Sequence, residues 1–137
     1  TRLIVLIGNP VEHSVSPAMH NAAFAAAKIN YVYLALRVED VKAAIAGVRA
    51  LGIAGLNVTI PHKISVMKHL NSIDSLAKKI GAVNVVVNRK GRLIGYNTDC
   101  SAAVSCLEKR TRLAGKRVGI IGCGGAGRAI AFGLQEK

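Results

Sequence analysis

A lysine and an aspartate are the residues of this sequence best suited to proton transfer. Lys63 follows the apolar stretch at residues 55–60 and Pro61, while Asp99 follows the apolar stretch at residues 92–96. If both stretches are strands, both side chains lie just past strand ends, where α/β sheets bind ligands. A lysine–aspartate pair in a cleft can pass a proton to a developing alkoxide when its pKa values are tuned towards neutrality. A solvated lysine and a helix-capping aspartate are the alternative, and the residue types alone leave both open.

Two serines are placed to bind an anion. Ser14 and Ser16 alternate in the stretch HSVSP, so in an extended segment both hydroxyls point to one side and could hold a carboxylate. Taken singly, each serine has an ordinary explanation that is favoured. Ser16 before Pro17 is a typical helix N-cap, and Ser14 is then only a loop residue.

Uncharged hydrogen-bonding side chains lie in the predicted strands or at their ends, and they suit a polyhydroxylated ligand. They are Asn57, Thr59, Asn84 and Asn97. Asn57 lies inside an apolar strand, where a satisfied buried amide is the favoured explanation. His13 and His62 flank the candidate sites but have no second ligand at metal spacing, so we predict no metal site.

A glycine-rich turn, GCGGAG at residues 122–127, follows the apolar run KRVGII and precedes a helical pattern. Its glycines fit the spacing G-x-G-x-x-G, in which the backbone approaches a pyrophosphate and a helix N-terminus supplies free N–H groups. A tight turn that binds nothing is the alternative. The ribose-recognising residue is expected about 20 positions further on, beyond Lys137, so this turn does not separate NAD from NADP.

Composition narrows the class of protein. The 137 residues are 51% hydrophobic but only 4% aromatic, which is typical of α/β proteins. The net charge of +12 suits small anionic ligands better than nucleic acid, because the sequence has no long basic block and no interleaved aromatic residues. Three cysteines without CxxC spacing indicate reduced thiols and a cytoplasmic protein. Neither a membrane span nor a signal peptide is predicted.

The hydrophobic patterns alternate between strands and helices, which predicts a mixed, mostly parallel, three-layer α/β/α domain over residues 1–99. A connecting helix over 100–115 and the first strand–turn–helix of a truncated Rossmann domain over 116–137 follow. Strands are predicted at 3–8, 31–38, 55–60, 83–88, 92–96 and 116–121. Helices are predicted from Pro17 to about Lys28, after Asp40, from Pro61, from Asp74 to Gly81, over 100–110 and after the glycine turn. The chain begins without methionine and stops in mid-pattern, so we expect a fragment.

Five motifs taken in order resemble the shikimate dehydrogenase family over nearly the whole chain. They are GNPVEHSVSPAMHNAAF, GLNVTIPHK, SLAKKIGAVNVVVN, GYNTDC and GCGGAGRA. The resemblance implies a two-domain enzyme that reversibly reduces 3-dehydroshikimate to shikimate with NADPH, in aromatic amino acid biosynthesis. It also implies a cleft between the domains as the active site, and a monomer or homodimer with a small-molecule substrate.

The resemblance further implies a role for each matching residue. Substrate binding falls to Ser14, Ser16, Thr59, Lys63, Asn84 and Asp99, with Lys63 and Asp99 also catalytic. The serines would hold the carboxylate, and Asn84 and Asp99 the ring hydroxyls. The resemblance assigns binding of the NADP pyrophosphate to the residues of the glycine turn, namely Gly122, Gly124, Gly125, Ala126 and Gly127. Val85 replaces the family's usual threonine and Cys123 its commoner alanine, and neither changes the expectation.

Three alternatives stay open. One is a quinate/shikimate dehydrogenase that uses NAD or NADP, and a second is a metabolite sensor that binds the same acid without chemistry. In the third, a dehydratase is fused upstream of Thr1. Because most of the cofactor domain and the family's downstream glutamine are missing, we expect this chain alone to bind NADPH poorly and to be inactive.

Overall fold

The apolar run near the start of the chain forms an interior strand of the sheet in the structure, a computed structural model that describes residues 1–137. The strands are β1 (Arg2–Gly8), β2 (Tyr31–Arg37), β3 (Gly55–Val58), β4 (Ser72–Ile73), β5 (Val85–Arg89) and β6 (Arg92–Tyr96). The helices are α1 (Ser16–Ala26), α2 (Val41–Ala50), α3 (Ser75–Ile80), α4 (Asp99–Glu108) and α5 (Gly125–Gln135), with a short 3-10 helix at Ser65–His69. No helix is long and apolar enough to cross a membrane.

The six strands form one mixed sheet in the order β2-β1-β3-β5-β6-β4. β1 is parallel to β2 and β3, β5 is antiparallel to β3 and β6, and β4 is parallel to β6. One edge of the sheet therefore collects the ends of β1, β2, β3 and β6 and the start of β5. We call it the carboxyl edge. The predicted hairpin is confirmed, since Arg89 pairs with Arg92 around the turn Lys90-Gly91.

β1 is buried on both faces because its apolar side chains alternate between two helical layers. Val5 and Ile7 belong to the main core with Ile45 and Val48 of α2. Leu6 lies in a second cluster on the other face, with Tyr33 of β2. Phe24 of α1 packs against that cluster. The predicted three-layer arrangement is therefore confirmed.

Two aspartates begin helices as the sequence predicts. Asp40 accepts hydrogen bonds from the backbone N–H groups of Lys42 and Ala43 at the start of α2. Asp74 accepts one from Leu76 at the start of α3, and Gly81 ends that helix with a left-handed φ of 73°. The prediction for Ser16 is wrong in detail, because Ser16 is already the first residue of α1 and its side chain caps nothing.

The helix predicted from Pro61 does not form. Residues 60–64 make a turn, and only the 3-10 helix follows. The backbone carbonyl of Lys63 accepts a hydrogen bond from Val83 N at 2.8 Å, so this acceptor is taken by a distant segment. Met67 N bonds to Ile64 O instead, which is the tighter i to i+3 pattern.

The strand predicted at residues 116–121 is also wrong. The segment KRVGII has no regular structure and pairs with none of the six strands. A strand needs a neighbouring strand to satisfy its backbone, and the chain offers none here. Ile121 is fully exposed as a result. The glycine turn and α5 that follow do form.

Candidate active site

Lys63 and Asp99 meet at the carboxyl edge of the sheet. Lys63 lies on the turn after β3, and Asp99 is the first residue of α4, three residues after β6 ends. Their side chains form an ion pair of 2.6 Å between Nζ and Oδ2. The lysine side chain is 16% exposed and the aspartate side chain 26%, so the pair is largely shielded from solvent. Of the two interpretations that the sequence left open, solvated side chains and a pair in a cleft, the structure shows the second geometry.

Asn84 holds the other oxygen of the aspartate. Its Nδ2 donates to Asp99 Oδ1 at 2.9 Å and to Thr98 Oγ1 at 2.9 Å. Thr98 N donates back to Asn84 Oδ1 at 2.9 Å. Both carboxylate oxygens of Asp99 are therefore bound, one by a cation and one by an amide, which fixes the orientation of the carboxylate.

Thr98 is a site residue that sequence reasoning missed. The sequence pattern includes Thr98 only as part of the motif GYNTDC. A hydroxyl immediately before a candidate catalytic aspartate was the available signal, but the contact depends on Asn84, which reaches it from the start of β5. Only the tertiary structure brings these two segments together.

Thr59 lines the same cleft as Lys63, and its backbone extends the pairing of β1 and β3 past the ends of the strands. Thr59 N donates to Ile7 O at 2.9 Å, and Asn9 N donates to Ile60 O at 2.9 Å. Gly8 lies directly below, where an added Cβ would be 2.8 Å from Val11 Cγ1 and 2.9 Å from Ile60 O, and would also collide with the methyl group of Thr59. The position of Thr59 therefore requires glycine at residue 8.

Ser14 lies on the loop between β1 and α1, and Ser16 is the first residue of α1. Ser14 Oγ accepts a hydrogen bond from Ser16 N at 3.2 Å, and both residues are half-buried. Neither hydroxyl donates a hydrogen bond to another protein group, so both remain available to an acceptor. They make no hydrogen bond to the Lys63–Asp99 pair, and their proposed carboxylate-binding role stays a prediction.

The glycine turn shares a cleft with Thr59 and Lys63. Together they line a cleft of about 580 Å³, and the residues of the turn that line it are Gly122, Gly124, Gly125, Ala126 and Gly127. Two glycines are required by geometry: Gly122 has a φ of 99°, and a Cβ at Gly127 would be 2.5 Å from Gly122 O. A turn this tight at the start of an 11-residue helix fits a pyrophosphate.

A partly buried chain of hydrogen bonds connects Tyr33 through Asn57 to the backbone of Asn84. Tyr33 OH donates to Asn57 Oδ1 at 2.7 Å, and Asn57 Nδ2 donates to Asn84 O at 3.4 Å. Burial raises the pKa of Tyr33 to about 12, so its hydroxyl stays protonated as a donor. The prediction of a satisfied amide at Asn57 is confirmed.

His62 and Asn97 are structural. A ring nitrogen of His62 lies 2.7 Å from Val38 O, and the residue is buried. Asn97 is also buried, with its amide donating to Ala82 O at 3.0 Å and its carbonyl accepting from Cys100 N. No cluster of three or more His, Cys, Asp or Glu side chains is arranged to hold a metal ion.

The chemistry available at this edge is proton transfer beside a glycine-rich turn. A positioned ammonium–carboxylate pair can protonate the oxygen of a carbonyl or accept the proton of an alcohol. The glycine cleft next to it has the backbone required for a nucleotide cofactor. A carbonyl–alcohol interconversion uses both parts.

Comparisons with known proteins point the same way. The sequence model of the family described as "Shikimate dehydrogenase substrate binding domain" matches residues 6–86. The chain is 55% identical over 138 residues to the shikimate dehydrogenase (NADP(+)) of Thermococcus kodakarensis, covering 99% of this chain and 51% of that protein. The chain thus spans about half the length of the curated relatives that it matches.

Two solved structures are similar over almost the whole chain. A crystal structure of a shikimate dehydrogenase in complex with NADP+ has a TM-score of 0.87 at 51% identity, covering 98% of this chain and 48% of that one. The Thermus thermophilus shikimate 5-dehydrogenase in complex with NADP(H) and shikimate has a TM-score of 0.90 at 36% identity, covering 99% and 52%.

Proposed function

We propose a function from one premise: the chain belongs to the shikimate dehydrogenase family, whose substrate-binding domain its residues 6–86 match. The proposed reaction is the reversible NADP-dependent reduction of 3-dehydroshikimate to shikimate in aromatic amino acid biosynthesis. The observation that carries it is the ion pair between Lys63 and Asp99, held by Asn84 next to the glycine cleft. We place the enzyme in the cytoplasm as a monomer or homodimer.

Proton transfer is the task of the ion pair. NADPH, held at the glycine turn, would supply the hydride that reduces the C3 carbonyl carbon of the substrate. The Lys63–Asp99 pair then gives one proton to the carbonyl oxygen, and the product alcohol forms as the pair loses that proton. Because the two groups are only 2.6 Å apart, we assign the proton to the pair and not to either residue alone. In the reverse direction the same pair accepts the alcohol proton.

Substrate orientation is the task of the surrounding hydroxyls and amides. Ser14 and Ser16, whose hydroxyls donate to no protein group, would bind the carboxylate of the acid. Thr59 would contact the ring on the β3 side. Asn84 would accept a hydrogen bond from a ring hydroxyl at its Oδ1, since both hydrogens of its amide are already donated to Thr98 and Asp99.

The cofactor would lie along the glycine turn, with its pyrophosphate at the N-terminus of α5. In this assignment residues 1–99 form the substrate domain, 100–115 connect, and 116–137 begin the cofactor domain. Ribose recognition would fall outside this chain. Activity therefore requires a longer polypeptide that also contains the half of the relatives' length that this chain does not span. We call that longer polypeptide the full-length protein.

A matrix of two substrates and two cofactors tests this proposal. The full-length protein is assayed for oxidation of shikimate and of quinate, each with NADP+ and with NAD+. The expected result is a preference for shikimate with NADP+, while comparable rates with quinate would assign a quinate/shikimate dehydrogenase. Calorimetric binding of shikimate without turnover under any condition would overturn the proposal in favour of a metabolite sensor.

A further inference from the structure

α5 is fixed to the same helix that carries Asp99. Ala129 is completely buried in a cluster with Ile80 of α3 and Cys100 of α4. Further along α5, a Cβ at Gly133 would lie only 2.8 Å from Cys100 Sγ. The backbone of α5 at Gly133 thus packs directly against Cys100 of α4. Since Asp99 is the first residue of α4, the N-terminus of α5 has a defined position relative to the ion pair.

The N-terminus of α5 lies on the aliphatic stem of Lys63. A Cβ at Gly125 would be 2.7 Å from Lys63 Cβ, 3.0 Å from Cδ and 3.3 Å from Cγ. The nearest of these atoms is attached to the backbone and cannot move aside as a flexible chain end can. Gly124 differs, because a Cβ there would meet nothing within 4 Å. The absence of a side chain at residue 125 therefore leaves the space that the stem of Lys63 occupies.

We propose that Gly125 is a positioning residue for Lys63, a role additional to the cofactor binding of the glycine turn. The inference rests on the proposed function, because it gives the turn a part in the same reaction. Lysine has a long flexible side chain, and preorganisation requires that its rotamers be held by packing. Asp99 holds the charged end, and Gly125 covers the stem.

A methyl group at residue 125 has two outcomes in this geometry. Either the stem of Lys63 is pushed away and its Nζ leaves Asp99, or the turn lifts away from the substrate domain. Both separate the proton donor from the cofactor cleft. A misplacement of about 1 Å can cost roughly 10²-fold in rate, so the effect falls on kcat as well as on cofactor affinity.

The first test compares single methyl additions in the full-length protein. Gly125→Ala is expected to lower kcat at saturating shikimate and NADP+ by about tenfold or more, and to weaken shikimate binding measured by calorimetry without cofactor. Gly124→Ala is expected to raise the KM for NADP+ while leaving that cofactor-free shikimate affinity unchanged. Gly119→Ala adds a methyl where nothing lies within 4 Å and is the control for activity.

Wild-type kcat and wild-type cofactor-free shikimate affinity in Gly125→Ala would overturn the inference. A second measurement does not depend on how that variant folds. Lys63→Ala removes the Cγ and Cδ atoms from above Gly125, so the amide NMR signal of Gly125 should shift and that of Gly119 should not. An unshifted Gly125 signal would contradict the contact. If the wild-type protein fails to oxidise shikimate, the proposed function fails, whereas the NMR result still decides the contact.

Discussion

Lys63 and Asp99 are 36 residues apart in sequence, and their side chains meet with 2.6 Å between Nζ and Oδ2. The pairing follows from the sheet, because β3 and β6 both end at the carboxyl edge on either side of β5. Neither residue lies on a long flexible loop: Lys63 is bonded through its carbonyl to Val83 N, and Asp99 begins a helix. The pair is therefore held by the backbone before any ligand binds.

The hydroxyl of Thr98 should matter for catalysis although it is too exposed to matter for folding. Thr98→Val keeps the shape of the side chain but removes the acceptor for Asn84 Nδ2. Loss of one net hydrogen bond of about 1 kcal/mol corresponds to roughly fivefold in rate. We expect kcat to fall by about this factor at an unchanged melting temperature. Thr98→Ser should restore kcat, and failure of serine to do so would show that Asn84 is not the partner.

Gly8 should be intolerant of even one methyl group. Gly8→Ala would collide with Thr59 and Ile60, and overpacking of this kind costs about 1–3 kcal/mol of unfolding free energy. Gly47→Ala is the matched control, because Gly47 lies within α2 and nothing lies within 4 Å of its added Cβ. That control should stabilise the protein by about 0.5–1 kcal/mol. Urea unfolding of both variants measures whether the unfolding free energy falls in Gly8→Ala and rises in Gly47→Ala. If both variants are stabilised, Gly8 is not tightly packed against Thr59.

Tyr33 should ionise only at strongly alkaline pH. Burial raises the pKa of Tyr33 from 10.0 to about 12. The folded protein thus holds the phenol proton more tightly than the unfolded chain, so this stabilisation is complete below pH 10 and is lost as the pH rises to about 12. Ultraviolet titration of tyrosinate should show one late step that Tyr33→Phe removes. If the late step survives in that variant, it belongs to another tyrosine.

The same Tyr33→Phe variant tests the chain of hydrogen bonds from Tyr33 to Asn84. It removes the donor to Asn57 Oδ1 and leaves a largely shielded amide oxygen without its partner. An unsatisfied buried acceptor costs about 1–3 kcal/mol, and the loss should appear in urea unfolding. Tyr31→Phe is the control, since the Tyr31 hydroxyl accepts only from exposed Arg2. Equal stability of the two variants would show that the Tyr33–Asn57 bond adds nothing.

The sequence was sufficient to predict the elements that depend on local signals. Apolar runs predicted five of the six strands of the sheet, and Asp40, Asp74 and Gly81 predicted helix ends, because caps act within a few residues. The meeting of Lys63 and Asp99 was also predictable, since both follow strands with parallel ends. β4 was missed because a two-residue strand exists only through its pairing with β6.

Other features could not be predicted from the sequence because they depend, like β4, on tertiary contacts. The backbone of Lys63 is bonded to Val83, so the helix expected after Pro61 gives way to a turn. The run KRVGII has the composition of a strand but no neighbour in this chain to pair with. The contact of Gly125 with Lys63 crosses from one end of the chain to its middle. Each depends on a partner far away in sequence.

The kcat of Lys63→Ala in the full-length protein tests the central claim most directly. If the Lys63–Asp99 pair transfers the proton, kcat for shikimate oxidation should fall by about 10²–10⁴-fold, with the melting temperature retained. Lys68→Ala, which removes an exposed lysine of the neighbouring 3-10 helix, should leave kcat unchanged. A Lys63→Ala protein that is folded and keeps the wild-type kcat would contradict the account.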